Sequence, residues 1–459
     1  MDLEKEKFNI QENTSSRFSA SKQLKSKSSL EMSGKTFSRS ESLAYPPQRS
    51  RTMLSKLQYY LRQKNWVAVG AIATLLFVGV LLVTETESGS STNLLKGTSS
   101  LLGRSSGSVN WGGAVHAGYF SIQDSVQKNG EILFSAVTDL DQLSRVVDSS
   151  KPKFRSIFLP GKLIQPVGAT GAATYQIVLN DSQKRTLYTH HNEAGRGGEF
   201  SELTVYNNRL LTFDDRTGDV FEILNDQSGT GSHVVPRFVI TEGAGETDKG
   251  MKWEWATVKG NELILGSMGK EYTRPDGSVL NRNNLWIASL NSAGELNRFD
   301  WSVQYDVVRK ALNARLPGYV IIEAVNWSPI LKKWIFLPRR ISSEMYDENK
   351  DERMGSNKLV IVDESFTSAE VVEIKMESLD PLKGFSTFAF VPGTGDRHAL
   401  AVRSVEEDCV GGDDQVCKQR SYFLVFDVTT GEVLSEEVQA QDSVKFEGVE
   451  FVDMFSVPK

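Results

Sequence analysis

Histidine, cysteine and helical periodicity are scarce in this sequence of 459 residues, and each scarcity removes a class of chemistry. The five histidines, His116, His190, His191, His233 and His398, show no zinc-binding spacing. No glycine-rich loop ends in Lys followed by Ser or Thr, which excludes P-loop nucleotide chemistry. No Ser nucleophile elbow, a Gly-x-Ser-x-Gly turn between a strand pattern and a helix pattern, is present. The two cysteines, Cys409 and Cys417, flank the polar insert VGGDDQV. Two thiols with no histidine near them in sequence are too few ligands for a metal, so in an oxidising compartment they read as a small disulfide-closed loop. Apolar residues rarely recur with a period of 3.6, and the stretch from Tyr305 to Asn313 is the fair helix candidate.

Charge is divided unevenly along the chain. The first 65 residues hold thirteen Lys/Arg against six Asp/Glu, a net of +7, which leaves −13 for the remainder. That tail is serine-rich and poor in apolar residues, so it is expected to be disordered. The acidic remainder argues against nucleic acid as a partner and suits a cation site. Between them, Trp66 to Val83 reads WVAVGAIATLLFVGVLLV with no charge. At ~1.5 Å per residue such a run spans roughly 27 Å, enough for a hydrocarbon core. It lies too far from the N-terminus for an ordinary cleaved signal peptide. Arg49, Arg51, Lys56, Arg62 and Lys64 precede it, whereas Glu85 and Glu87 follow it. The positive-inside rule therefore predicts a single-pass type II protein with a cytosolic N-terminus and a lumenal or extracellular main domain. The expected division is a basic tail over 1–65, a transmembrane signal-anchor over 66–84, a Ser/Gly-rich stalk over 85–129 and a folded domain over 130–459.

Within that domain, short β-branched or alternating runs follow one another, each closed by Gly, Asn or Asp; EILFSAVTDL, LTVYNNRLLTF and DVFEIL are examples. The pattern is all-β, and it repeats. FSELTVYNNRLLTF, WEWATVKGNELILGS, IEAVNWSPILKKWIFLP, FSTFAFVPGTGDRHALAVRS and FEGVEFV each open with an apolar residue followed by a small or acidic one. Those second residues are Ser201, Glu254, Glu323, Ser386 and Glu447, separated by 53, 69, 63 and 61 positions. Four strands and their turns fill such an interval, which is one propeller blade, so five blades are expected. The last unit lacks three strands, and these are expected from the start of the domain, at Ile132 to Asp139, Tyr175 to Asn180 and Thr186 to His190. Joining the two ends closes the ring and leaves no open sheet edge.

The strings GRGGEFSEL, DDRTG, KGMKWEW, GKEYT, KKWIFLPRR, DERMGSN, KGFSTFAFVP and VKFEGVEF occur in that order between Gly195 and Phe451. With them the chain resembles the soluble calcium-activated nucleotidases, or apyrases, over about Ile132 to Val452. The resemblance implies a five-bladed β-propeller with a calcium ion in its central tunnel. It places the metal ligands at Ser201, Glu254, Glu323, Ser386 and Glu447, the positions already marked by repeat phase. Calcium takes about six to eight oxygens, and five strand-borne oxygens plus water suffice. The chain departs from the animal pattern at Glu202, at Lys383 and in the Cys409–Cys417 insert, none of which removes an expected ligand.

The activity so implied is calcium-dependent hydrolysis of nucleoside diphosphates, UDP or GDP among them, to the monophosphate and phosphate. Two alternatives are a broader apyrase that also attacks triphosphates and a non-catalytic, calcium-stabilised binding module. Phosphoanhydride hydrolysis needs donors for phosphate oxygens and a group to orient water. Arg339, Arg353, Arg196 and Lys252 are the candidate phosphate contacts, and of the adjacent Arg339 and Arg340 only Arg339 is expected to face the site. Asp139, Asp141 and Asp214 are the candidate catalytic carboxylates, with Asp214 equally readable as the anchor of a DDRTG turn. Trp253, Trp255 and Trp327 read as base-stacking or as packing. The expected partners are the nucleotide substrate, the membrane through one helix, and a second copy in a homodimer.

Overall fold

The computed structural model describes residues 130–453, apart from 148, 166–174, 227–229, 275 and 410–416. The anchor run, the tail and the stalk lie outside the described residues, among which no helix is long and apolar enough to cross a membrane. Cys409 and Cys417 are disulfide-bonded, as their spacing suggested.

Among the described residues five antiparallel sheets form the blades, and a separate two-stranded ribbon pairs Tyr272–Thr273 with Val279–Asn281. The first blade runs outward as Phe200–Tyr206, Arg209–Asp214, Asp219–Asn225 and Ser232–Val239. Its first hairpin turns on Asn207 and Asn208, with φ of 50° and 57°, the left-handed pair that a two-residue turn between twisted strands needs. The second blade is Trp255–Lys259, Glu262–Gly266, Trp286–Asn291 and Leu296–Asp300. The third is Tyr319–Ser328, Lys333–Ser342, Lys358–Asp363 and Ala369–Glu373, and the fourth is Gly384–Phe390, His398–Glu407, Lys418–Asp427 and Val438–Gln439. In the fifth, the C-terminal strand Lys445–Glu450 is innermost and pairs with Glu131–Asp139, Ala136 standing opposite Val449. The innermost strands touch one another in cyclic order, the fifth returning to the first, so the ring is closed.

Two elements differ from expectation. The third strand of the closing blade is Phe154–Ile164, absent from the sequence reading because Pro160 and Gly161 interrupt its pattern. It is long enough to pair separately with both Gln176–Leu179 and Arg185–Thr189, the two shorter outer strands that the sequence did mark. The helix spans Ser302–Ala311, starting before Tyr305 because Asp300 Oδ1 accepts the Ser302 N–H at 2.9 Å.

Apolar packing lies between blades rather than within one central core. Each of the five seams has its own cluster of buried side chains. The seam between the second and third blades is the most aromatic, with Trp255, Trp301, Trp327 and Trp334. Trp255 lies where a Cβ on Gly266 would stand 2.1 Å from its ring, and its Nε1 donates to Ser267 O at 3.0 Å. Trp253 donates to Gly218 O at 3.2 Å. These tryptophans are therefore packing elements. Because aromatic bulk fills the seams, the axis is left to the first residues of the innermost strands.

The closing strand places Phe446 and Val449, and the residue after it Phe451, in the seam between the fourth and fifth blades. Each buried side chain of this kind contributes about 1.5–3 kcal/mol against a net stability of roughly 5–15 kcal/mol. Truncation before Lys445 should therefore abolish cooperative melting in scanning calorimetry, whereas removal of residues 454–459 should leave it intact.

Candidate active site

Four of the five marker residues share a backbone feature that a period count does not show: the ladder breaks at each of them. Pairing jumps from Phe200↔Asp214 to Leu203↔Thr212 around Ser201, and from Ile322↔Pro338 to Ala324↔Leu337 around Glu323. It jumps likewise around Ser386, between Phe385↔Arg403 and Thr387↔Val402, and around Glu447, between Phe446↔Thr138 and Gly448↔Val137. Glu254 lies one residue before its strand, and its N–H donates at 2.9 Å to the carbonyl of Gly266, the residue paired with Trp255. A bulge re-aims the extra residue's side chain. All five are buried.

Buried cations tie these acids together. Arg339 Nη1 donates to Glu323 Oε2 and, at 2.9 Å, to Glu447 Oε1, while its Nη2 reaches Glu406 Oε2 at 2.6 Å. Lys445 Nζ stands 3.0 Å from both Asp139 Oδ2 and Asp141 Oδ2, and 3.2 Å from both Glu406 and Glu447. Lys252 joins Asp215 to Glu254, the latter at 2.8 Å. Arg196 holds Glu199 through Nε at 2.9 Å and Nη2 at 2.6 Å, with Asp141 Oδ1 at 3.4 Å.

Carboxylates outnumber these cations, and the protonation pattern follows. Burial pushes Glu199 up to about 9, with Asp215 and Asp139 adding repulsion that Arg196 only partly offsets. Burial likewise carries Glu254 up to about 8, with Glu323 and Asp215 opposing Lys252. Glu447 is raised by burial and by Glu323 and Asp139, despite Lys445 and Arg339. Asp139 behaves oppositely: Lys445 and the Asp141 N–H outweigh its burial and hold it below the ordinary carboxylate range.

Arg339 faces this site, and Arg340 points elsewhere, to Leu382 O at 3.3 Å. Arg196, Lys252, Asp139 and Asp141 are all brought to it. Arg353 is exposed in the turn after the short helix Glu348–Asp351 and joins none of these contacts. Asp214 spends Oδ1 on the N–H groups of Arg216, at 3.0 Å, and Thr217, at 3.3 Å, and Oδ2 on Gly198 N at 2.7 Å. It fixes the DDRTG turn, and its neighbour Asp215 supplies the carboxylate that meets Lys252. Sequence reasoning missed Lys445, Glu199, Asp215 and Glu406. A signal existed for two of them: Glu199 and Lys445, like Lys252, stand two residues before a marker, the spacing that returns a strand to one face. Nothing comparable marks Glu406, which comes from the second strand of its blade.

One oxygen-rich group among the described residues has the spacing of a hard-cation site. Asp139, Asp141 and Glu199 are buried and offer ligand oxygens within 4.8 Å of one another. Of the marker residues, Glu254 is tied to Lys252, and Glu323 and Glu447 to Arg339, while Ser201 Oγ is buried with no hydrogen-bond partner. Ser386 Oγ donates to Phe446 O at 2.8 Å, so its remaining offer is the bulge carbonyl. An all-oxygen set of this kind suits calcium better than zinc.

A closed five-bladed propeller with buried carboxylates and cations crowded at one end of its axis is a propeller built around a charged axial site. The sequence model of the apyrase family matches residues 140–452. The chain is 38% identical to an apyrase of Cimex lectularius over 60% of this chain and 70% of that one. It is 35% identical to apyrase apy-1 of Caenorhabditis elegans over 73% of this chain and 88% of that one. Against soluble calcium-activated nucleotidase 1 of Rattus norvegicus the identity is 36%, over 59% and 63% of the two chains. The chain belongs to the apyrase family.

Burial raises Asp214 to about 7, assisted by Asp215 and opposed by its three N–H donors. The folded state then binds more protons than the unfolded state between about pH 4, the ordinary aspartate value, and pH 7, so stability falls as pH rises through that window. Asp214→Asn should lower the melting temperature at every pH, since Nδ2 cannot accept from Gly198, and should flatten this slope. Melting from pH 4 to 8 checks both effects.

Proposed function

We propose that this chain is a calcium-dependent nucleotidase that splits nucleoside diphosphates into the monophosphate and phosphate. We further propose that it works on the lumenal or outer side of a membrane, held there by the helix over 66–84. The observation that carries the reaction is the axial network: guanidinium and ammonium groups converge there on carboxylates at the motifs of a family whose rat member is named for calcium activation.

Lys445 and Arg339 are the donors best placed to take phosphate oxygens, because each already spans several acceptors and can exchange one for a substrate oxygen. Arg196 and Lys252 flank them. Asp139 stays ionised and is the candidate to hold and deprotonate water, with Asp141 fixed beside it by its N–H to Asp139 Oδ1 at 2.8 Å. A calcium ion held by Ser201, Glu254, Glu323, Ser386 and Glu447 would supply a fixed positive charge for the phosphate oxygens. The lumenal placement is supported by the Cys409–Cys417 bond, which an oxidising compartment preserves.

The test is phosphate release from a panel of nucleoside di- and triphosphates, with calcium or chelator. Release from diphosphates that stops on chelation is expected; equal release without calcium would overturn the metal requirement, and faster triphosphate cleavage would favour the broader apyrase. Calcium that binds the folded state alone stabilises it by about 2.7 kcal/mol at a hundredfold excess over Kd. Glu254→Gln, Glu323→Gln and Glu447→Gln should each lose most of that calcium-dependent rise in melting temperature. Arg339→Lys should also disturb it, because the guanidinium bridges two of the three glutamates. Protease added to sealed vesicles should digest the N-terminal tail and spare the propeller; the reverse pattern would overturn the orientation.

A further inference from the structure

Three Asn-x-Ser/Thr triplets occur in the sequence, at Asn13, Asn180 and Asn326. Such a triplet accepts an N-linked oligosaccharide when it faces a secretory lumen and stands on the surface. The proposed hydrolysis uses none of them. Asn326 lies on the innermost strand of the third blade, opposite Ile335. Its Nδ2 donates to Phe388 O of the fourth blade at 2.7 Å, and the residue borders the axial cavity of about 240 Å³. Trp327 is packed in the aromatic seam, and the buried Ser328 donates its hydroxyl to Asp396 Oδ2 at 2.7 Å. An oligosaccharide on Asn326 would crowd the contact that joins the third and fourth blades, so a chain modified there is not expected to reach this fold.

Asn180 has opposite surroundings. It opens the turn between Gln176–Leu179 and Arg185–Thr189, the outermost strands of the closing blade. Ser182, Gln183 and Lys184 in that turn are exposed. The Ser182 hydroxyl donates to Asn180 Oδ1 at 2.8 Å, so the two side chains that transfer requires already stand together. Asn180 Nδ2 donates to the exposed Gln183 Oε1 at 2.9 Å, a contact that a sugar on the nitrogen can displace at small cost. The turn itself is fixed by other groups: Gln183 N–H donates to Asn180 O at 3.0 Å, and Lys184 Nζ reaches Asp442 Oδ2 at 2.6 Å. The innermost strand of the blade is three strands away, roughly 14 Å at ~4.8 Å per strand, which keeps a glycan clear of the axial site.

We propose that Asn180 carries an N-linked oligosaccharide and that Asn13 and Asn326 do not, an assignment that rests on the lumenal placement above and not on the hydrolase. Asn13 falls in the basic tail, outside the described residues, on the side expected to face away from the lumen where transfer takes place. The donor is an oligosaccharide linked to a lipid diphosphate. Asn180 Nδ2 bonds to the anomeric carbon of the first sugar, the bond from that carbon to the phosphate oxygen breaks, and the lipid diphosphate leaves with its electron pair. Nδ2 gives up one proton and keeps the other.

The test is expression of the full chain in a eukaryotic secretory cell, with gel mobility read before and after peptide-N-glycosidase and the peptides around the three asparagines mapped by mass spectrometry. A single oligosaccharide, on Asn180, is expected. Asn180→Gln and Ser182→Ala should each abolish the mobility shift, whereas Ser182→Thr should retain it. Asn180→Gln gives up exposed hydrogen bonds, so it should melt close to the wild type, which separates loss of the glycan from loss of the fold. A bare Asn180, or an oligosaccharide on Asn326 of the folded protein, would overturn the assignment. The readings fail separately. Asn13 modified with Asn180 bare reverses the orientation and takes the assignment with it. A bare Asn180 on a propeller sheltered from protease in sealed vesicles keeps the placement and sinks the glycan alone. An oligosaccharide on Asn180 of a protein that releases no phosphate from any nucleotide sinks the hydrolase and keeps the modification.

Discussion

Crowding of buried carboxylates on one axis is the constraint around which the rest is arranged. A ring of five sheets leaves a narrow channel, and the bulged first residues of its inner strands are turned toward it. An ionised carboxylate removed from water costs several kcal/mol unless paired. Here the pairing comes from Arg339, Lys445, Lys252 and Arg196, each of which serves more than one acid. The cations fall short of the acids, so Glu199, Glu254 and Glu447 hold their protons more tightly than usual. Such an unfinished balance makes the site receptive to a further positive charge.

Stability and chemistry are kept in different places. The seams between blades are apolar and hold the large aromatic side chains, whereas the axis is polar and charged. Deleting one axial carboxylate removes little apolar surface. Opening the ring instead exposes the edges of Glu131–Asp139 and of the seam beside it. Closure by the last strand therefore acts twice: it completes the apolar seam through Phe446 and Val449, and it brings Lys445 and Glu447 onto the axis.

The same physics decides what the sequence disclosed. Blade number and ring closure were legible because one marker per blade recurs at strand-plus-turn intervals, and the structure sets Ser201, Glu323, Ser386 and Glu447 at bulges and Glu254 one residue before its strand. The bulges themselves were not, since an extra residue in a ladder leaves no mark until the partner strand is known. Phe154–Ile164 was hidden by Pro160, whose missing N–H is tolerated within this paired strand. Lys445 and Glu199 were readable by the two-residue spacing that also picks out Lys252. Glu406 and Asp215 were not, because their roles depend on which neighbours the ring brings to them.

One more acid, Glu202, crosses the axis beside the markers. It follows Ser201 on the first blade, yet its Oε1 accepts from Thr387 Oγ1 of the fourth blade at 2.8 Å and from Leu203 N at 2.9 Å. First and fourth blades are not neighbours in the ring, so this side chain crosses the channel one residue below the markers. Burial raises its pKa well above the ordinary value, so it gives up its proton less readily than an exposed glutamate. An ionised group at that depth would add another negative charge beneath Glu254, Glu323 and Glu447. A neutral one fills the channel without worsening their repulsion. Beyond it the axis opens into a cavity of about 240 Å³ edged mainly by Val, Ala, Phe and Thr side chains, with nothing like the ion-pair network above. At the end where the marker residues lie, Asp139, Lys445 and Arg339 are held instead in the buried ion-pair network.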